Sequence, residues 1–463
     1  MNYDMKTILI KFDNSFFVRN FLRTDVFTIL TQTPDIKIIF LVHAEKISYY
    51  RKEFGSERVV FDVLPESKHF LTERFFKFVE TASIHSHTVS MIHKTEFVRT
   101  ASQKSFFSRI VLYGTRRTLW WLGQFSCWRK LIRSIYGLLP SSTFSIFFHT
   151  YAPDIIFCPS VAYTDARMLK EARARGIKTL GMILSWDNLH SKTLVRTFPD
   201  MLIVHTDSVK KQAHQFADYP LERIVVSGIP QYDRYITRSD SMPRDQFIKE
   251  IGGDPQKKLL VYAVSGKAGL HIDYDMVKLL QGAIENKEIN SNVQLMLRAH
   301  PRYDFTPEKL KRIQEEYGCL VTPAMAHVGE SRDSWEFDER TVSFLSNTLA
   351  HADIIIAMYT TFFIEAAIFD KPLIAIGFDV RTLDYMNSAR HFFEWDHLRE
   401  LDELKGIWRV QSRDELIHAI NTYLNNPGYL REGRKKIVTQ QSQFTDGKSG
   451  ERLAHIILNA LRK

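Results

Sequence analysis

The chain has 463 residues, of which 44% are hydrophobic, 25% charged and 13% aromatic, and a formal net charge of +9. That is more chain than one ordinary core needs, so two domains are expected, and the composition is that of a folded soluble protein rather than a disordered or fibrous one. The positive surplus favours polyanionic partners, whereas Cys127, Cys158 and Cys319, widely spaced and without a Cys-x-x-Cys, argue against a disulfide framework or a zinc module.

From the N-terminus, the apolar run at 7–12 is too short for a signal segment and is predicted to be the first strand. No run approaches the ~18 apolar residues that span a bilayer. The protein is therefore expected in the cytoplasm, with any membrane contact peripheral, at the inner face of the plasma membrane. Further short β-branched runs follow at 37–42, 59–64, 154–158, 178–184, 201–204 and 224–227, then at 259–264, 294–298, 319–322, 353–357 and 373–376. Helix-period stretches lie between many of them, such as 164–176 and 308–317, with Gly176 and Gly318 as stops. Apolar strands separated by helices predict parallel sheets covered on both faces. The best break is 235–254, where Arg238-Ser239-Asp240-Ser241-Met242-Pro243 and Gly252-Gly253-Asp254-Pro255 are linker and turn residues. It predicts an N-terminal domain at 1–236 and a C-terminal one at 245–445.

The stretch 93–148 differs from its surroundings. Lys94, Arg99, Lys104, Arg109, Arg116, Arg117, Arg129, Lys130 and Arg133 face the single acid Glu96, with Phe97, Phe106, Phe107, Trp120, Trp121, Phe125, Trp128 and Tyr136 between and beyond them. It reads two ways: as an interface with an anionic membrane, or as a helical insertion whose rings are core and whose charges are solvated. Nucleic acid is not expected as a partner, because no helix-turn-helix, zinc finger or RNP-like aromatic strand accompanies the basic residues.

In open α/β sheets, ligands bind beyond the carboxyl ends of the strands, so the chemistry is sought just after each run. Arg298, His300 and Arg302 follow the strand at 294–298 and can bind or stabilise a diphosphate; a turn ended by Pro301 is the alternative. Thr360 and Thr361 follow 353–357 and suit the cap of a helix at 362–370, with Glu365 about one turn in. That arrangement offers an anion site with a carboxylate for ribose hydroxyls; a capped helix with a solvated Glu365 is the alternative. Ser265-Gly266-Lys267-Ala268-Gly269 follows 259–264 and can wrap phosphate, or is an ordinary glycine turn. It is not a Walker loop, and neither is Gly447-Lys448-Ser449, because position 442 is Ser. After 178–184 come Ser185-Trp186-Asp187-Asn188-Leu189. Asp187 can serve as a base whose pKa is raised by burial beside Trp186, or belongs to an Asx turn. Ser227-Gly228-Ile229-Pro230-Gln231-Tyr232-Asp233 suits a close-approach loop.

In this order, these residues resemble GT-B glycosyltransferases, nearest to the CDP-glycerol glycerophosphotransferase-like and CMP-sugar transferase-like families of bacterial surface polysaccharide biosynthesis. The resemblance covers most of 154–461. It is most specific at Ala299-His300-Pro301-Arg302, at 351–372 and at Phe444-Thr445-Asp446-Gly447-Lys448-Ser449-Gly450-Glu451-Arg452. It implies an α/β GT-B fold of two Rossmann-like domains with parallel sheets facing a central cleft. The His-Pro pair and the Thr360-Thr361 pair, which stands where those families commonly carry two Ser, are implied to hold donor phosphates, and 446–463 is implied to cross back onto the N-terminal domain. Glycerophosphotransferases carry a His-Gly pair where this chain has Trp186-Asp187-Asn188, and Asp187 is closer to the acidic base of sialyltransferase-like enzymes. UDP-GlcNAc 2-epimerases place Ser-Gly-Gly where this chain has Thr360-Thr361-Phe362, and bulky residues there block a close backbone approach.

The expected activity is transfer of a sugar or polyol phosphate from a CMP-, CDP- or UDP-linked donor to a hydroxyl of a surface glycan or lipid-linked acceptor, in capsule or lipopolysaccharide synthesis. No cofactor or metal is expected. Asp187 is the expected base, and His300 and Arg302 stabilise the departing phosphate with Thr360 and Thr361. Ser265, Gly266 and Lys267 add phosphate contacts, and Glu365 holds the ribose. Metal independence rests on the want of an Asp-x-Asp just after a strand, since Asp273-Tyr274-Asp275 is expected to enter a helix. The competing expectations are a nucleotide-sugar 2-epimerase and an inactive transferase-like scaffold at a membrane.

Overall fold

The structure, a computed structural model, describes residues 5–65, 70–162, 164–264, 270–290, 292–299, 307–322, 326–328, 335–358 and 360–462. It divides into two compact units, made chiefly of Met1–Asp233 with Asp446–Lys463 and of Arg234–His327 with Trp335–Thr445.

The first unit holds β1 (Lys6–Lys11), β2 (Ile36–Val42), β3 (Val59–Val63), β4 (Ile155–Cys158), β5 (Lys178–Met182), β6 (Met201–Val204) and β7 (Ile224–Val226). They form one seven-stranded sheet in the order β3-β2-β1-β4-β5-β6-β7, every pair parallel. Ile8, Leu9 and Ile10 are fully buried, as both faces of a helix-covered parallel sheet require. Local signals start and stop the covering helices. The Thr206 hydroxyl accepts from Val209 N at 3.2 Å to cap Asp207–Ala217, and Asp218 ends that helix at φ 53°.

The second unit repeats the plan with β8 (Lys258–Ala263), β9 (Val293–Arg298), β10 (Leu320–Val321), β13 (Ile354–Ala357), β14 (Leu373–Ile376) and β15 (Trp408–Val410). Their order is β10-β9-β8-β13-β14-β15, again all parallel. Between β10 and β13, β11 (Ala326–His327) and β12 (Trp335–Glu336) form a separate antiparallel pair. Every strand expected from the sequence forms, to within two residues at either end. The sequence did not indicate β11, β12 or β15. The helix expected at 362–370 is Phe362–Ile368, because Asp370 turns left-handed at φ 52°.

The basic aromatic stretch forms the helices His87–Arg99, Phe106–Leu122, Ser126–Leu138 and Ser145–Tyr151. Neither sequence reading describes all of it. Ile132, Tyr136, Phe147 and Phe148 are buried. Trp120 and Trp128 are partly buried, their indole N–H groups donating to Ser86 O at 2.8 Å and Ser83 Oγ at 3.0 Å. Arg129 and Arg133 are not solvated but pair with Asp218. Phe106, Phe107, Trp121, Leu131, Ile135 and Leu138 nevertheless stay exposed. Among the described residues, no helix is long and apolar enough to cross a membrane.

The Ser449–Arg462 helix packs on Asp25–Gln32 in the first unit. Its first free N–H groups, from Ser449 and Gly450, donate to the Asp233 carboxylate at 3.0 and 2.7 Å, so a residue distant in sequence caps this helix. Asp233→Ala removes both acceptors and is expected to lower stability by about 0.5–2 kcal/mol, the usual cost of a lost cap. A denaturant melt followed by circular dichroism measures this; an unchanged midpoint would show that the Asp233 cap does not stabilise the fold.

Candidate functional site

Strand order reverses once in each sheet, between β1 and β4 and between β8 and β13. Such a switch point opens a crevice beyond the carboxyl ends of the two strands. In the second unit, β13 ends at Ala357 and leads to Thr360, Thr361 and the Phe362–Ile368 helix. Thr361 occupies the cap position, but the capping oxygen is Thr360 Oγ1, which accepts from Phe362 N at 3.1 Å. Asp370 anchors the far end, its carboxylate receiving Arg431 Nε at 2.7 Å and Arg434 Nε at 2.8 Å.

Glu365 is not the solvated carboxylate of the alternative reading: it is 4% exposed. The fully buried Tyr235 donates its hydroxyl to Glu365 Oε2 at 3.2 Å, and its ring lies 5.6 Å from that of Phe369. At the end of β9, the Arg298 guanidinium lies over the Phe362 ring, 4.3 Å from its centroid, which brings this cation beside the start of the helix that carries Glu365. Ser265, Gly266 and Lys267, and likewise His300 and Arg302, lie outside the described residues; the strands that lead to them end at Ala263 and Arg298. Asp273 and Asp275 fall inside the Leu270–Glu285 helix. Asp273 is buried and accepts from the Tyr262 hydroxyl at 2.7 Å, and Asp275 pairs with Arg381 at 2.5 Å.

In the first unit, Asp187 precedes the short Asn188–Ser191 helix in the segment after β5. Its carboxylate is 20% exposed and lies 2.8 Å from Lys192 Nζ, a cationic neighbour that the sequence reading did not pair with it. The same edge carries groups that reading missed. Lys11, the last residue of β1 and 1% exposed, sets its ammonium between Asp13 and Asp165. Burial works against its charge, but the two carboxylates outweigh it and hold the ammonium above its ordinary range. Burial, with Asp13 adding to it, pushes the Asp165 carboxyl up to about 7 against the pull of Lys11. At the end of β6, burial brings the His205 imidazole down to about 4. A charged residue closing an otherwise apolar strand, Ile8-Leu9-Ile10-Lys11, was the available signal for this cluster.

The sequence profile of the CDP-glycerol:poly(glycerophosphate) glycerophosphotransferases matches residues 187–459. The chain belongs to that family. It is a glycosyl- or glycerophosphotransferase that draws on a nucleotide-activated donor. This transferase is also similar to the lipid-A-disaccharide synthase of Geobacter sulfurreducens, at 22% identity over 324 residues, 67% of this chain and 76% of the other. Among solved structures, it resembles the wall teichoic acid polymerase TagF at a TM-score of 0.52 and 12% identity, covering 99% of this chain and 89% of that one. It resembles the Neisseria meningitidis UDP-GlcNAc 2-epimerase at a TM-score of 0.53 and 12% identity, covering 98% and 100%. A polymerase and an epimerase match equally well, so these two likenesses speak for the GT-B-type fold, and family membership carries the activity.

Proposed function

We propose that this transferase moves a sugar or polyol phosphate from a CMP-, CDP- or UDP-linked donor to a hydroxyl of a surface glycan or lipid-linked acceptor, without a metal ion. The observation that carries this reading is the reach of the family match: it begins at Asp187 and includes every candidate residue up to Glu365. Asp187 takes the proton of the acceptor hydroxyl as that oxygen bonds to the transferred carbon or phosphorus, while the donor's bond to the nucleotide breaks. His300 and Arg302, with Thr360 and Thr361, stabilise the charge on the departing nucleotide phosphate, and Ser265, Gly266 and Lys267 wrap it. Glu365, steadied by Tyr235, accepts the ribose hydroxyls. These cations supply the charge that a metal ion supplies elsewhere, and Asp273 and Asp275 are committed to Tyr262 and Arg381.

A thermal-shift panel of CMP-, CDP- and UDP-linked donors tests the donor site. One donor is expected to stabilise the protein, by about 2.7 kcal/mol at a hundredfold excess over its Kd, and His300→Ala and Glu365→Ala are expected to reduce that gain. Stabilisation by none of them, or an undiminished gain in both variants, contradicts the assignment.

The same reading places the protein peripherally on an anionic membrane, at the inner face of the plasma membrane. Phe106, Phe107, Trp121 and Leu138 are 67, 76, 54 and 85% exposed, and Lys104 and Lys130 are exposed beside them. Rings and aliphatic side chains beside lysines suit the headgroup boundary. The protein is expected to float with vesicles containing anionic phosphatidylglycerol and not with neutral phosphatidylcholine ones. Phe107→Ser with Leu138→Ser should abolish flotation; flotation unchanged by these substitutions contradicts the placement.

A further inference from the structure

We propose that the amino end of the second unit's sheet holds a further anion site, in which Lys371 and Arg238 receive a phosphate or diphosphate group. This goes beyond the transfer reading, because the donor candidates follow the carboxyl ends of the strands and this site precedes their amino ends. β8, β13 and β14 are neighbours in the order β10-β9-β8-β13-β14-β15, all parallel. Asp353 stands one residue before β13 and Lys371 two residues before β14. Ile355 pairs with Leu373 and its N–H donates to Pro372 O at 2.9 Å, so the same register sets Asp353 beside Lys371. Arg238, on left-handed backbone at φ 57°, lays its guanidinium over the Phe369 ring, 3.8 Å from the centroid. Arg244 donates to Asp353 Oδ2 at 2.8 Å.

The carboxylates near this pair are already committed. Asp353 receives Lys258 Nζ at 3.1 Å and Leu259 N at 2.8 Å besides Arg244, and Asp370 receives Arg431 and Arg434. Among the described residues, the side chains of Lys371 and Arg238 make no ion pair and no hydrogen bond. Lys371 is half-buried. Burial, with Arg238 and Arg244 adding to it, brings its ammonium down to about 8 against the pull of Asp353 and Asp370. Burial also holds the nearby His351 imidazole below its ordinary range, and Lys371 and Arg244 push it the same way. Two neighbouring groups thus register an excess of positive charge. A phosphate group carries about −1.5 to −2 at neutral pH and several strong acceptor oxygens, which matches two cations without carboxylates of their own. Arg238 is exposed, so the pair is open to a ligand from solvent.

Amine labelling of the full chain tests this, with an N-hydroxysuccinimide acetate at pH 7 and mass spectrometry of the peptide that carries Lys371. Inorganic pyrophosphate is expected to slow acetylation of Lys371, because an anion that raises its pKa by about one unit lowers the reactive free-amine fraction about tenfold. The exposed Lys287 is the internal control and should label at an unchanged rate. Sodium chloride at matched ionic strength should protect Lys371 far less. Arg238→Asn should remove most of the protection; Arg238 is exposed and Asn tolerates the left-handed backbone there, so the fold is kept. Vesicles of phosphatidic acid form a separate arm: protection by pyrophosphate assigns the site to a soluble phosphate, and protection by vesicles alone assigns it to a lipid headgroup. No protection in either arm, equal protection by chloride, or undiminished protection in Arg238→Asn overturns the site. Protection should persist in Glu365→Ala, and its loss there, by tracing the effect to the donor site, overturns this inference alone. Failure of the donor panel leaves a positive result standing.

Discussion

Two all-parallel sheets impose one constraint on this chain: each strand must be followed by a crossover that returns to the same end of the sheet. Helices then cover both faces, the strands become apolar on both sides, and the interior has no place for chemistry. Polar function is displaced into the few residues that leave each strand's carboxyl end. Asp187 after β5, Arg298 at β9 and Thr360 after β13 occupy such positions. Where those residues are buried, the fold supplies partners for them. Tyr235 meets Glu365, and Asp13 and Asp165 meet Lys11. A buried charge without a partner would cost several kcal/mol, so these pairings are conditions for keeping functional groups at the edge of a dry sheet.

The same economy ties the basic helices to the segment after Asp187. Arg196, fully buried, lies 2.8 Å from Glu80 and 3.2 Å from Glu73. Glu80 also accepts from the Thr193 hydroxyl at 2.7 Å and Leu194 N at 2.9 Å. Ser86 donates its hydroxyl to His190 O at 2.6 Å, and Arg133 donates to Leu194 O at 2.9 Å. The helices that present Phe107 and Leu138 and the stretch that begins at Asp187 are thus parts of one packed body. In the proposed reading, this couples the membrane-facing side to the acceptor base without a flexible linker.

How much of this the sequence displays depends on how local each signal is. Strands buried on both faces are unbroken β-branched runs, and these were readable one by one. β15 was not, because Trp408-Arg409-Val410 is three residues long and only Val410 is fully buried. The polar-then-helical stretch around Thr360 and Glu365 was legible because cap, helix and carboxylate are consecutive. The Tyr235 partner of Glu365 was not, because the pairing is made by folding across 130 residues. For the same reason Lys11 read as an ordinary strand end, since Asp165 reaches it only once β1 and β4 lie side by side. The basic aromatic stretch was ambiguous because its residue types suit both a core and a lipid interface. Periodicity alone does not tell that Trp120 turns inward to Ser86 while Trp121 stays exposed.

The central claim is that this GT-B-type chain is an acceptor-dependent transferase and does not simply rearrange a nucleotide sugar. Phosphorus NMR of CDP-glycerol and of UDP-N-acetylglucosamine, each incubated with the protein and with or without bacterial membranes as the source of acceptor, tests it most directly. Free nucleotide is expected to be released from one of these donors when membranes are present, and the donor is expected to stay unchanged without them. Conversion of the UDP-sugar to a second nucleotide sugar in the absence of any acceptor would contradict it.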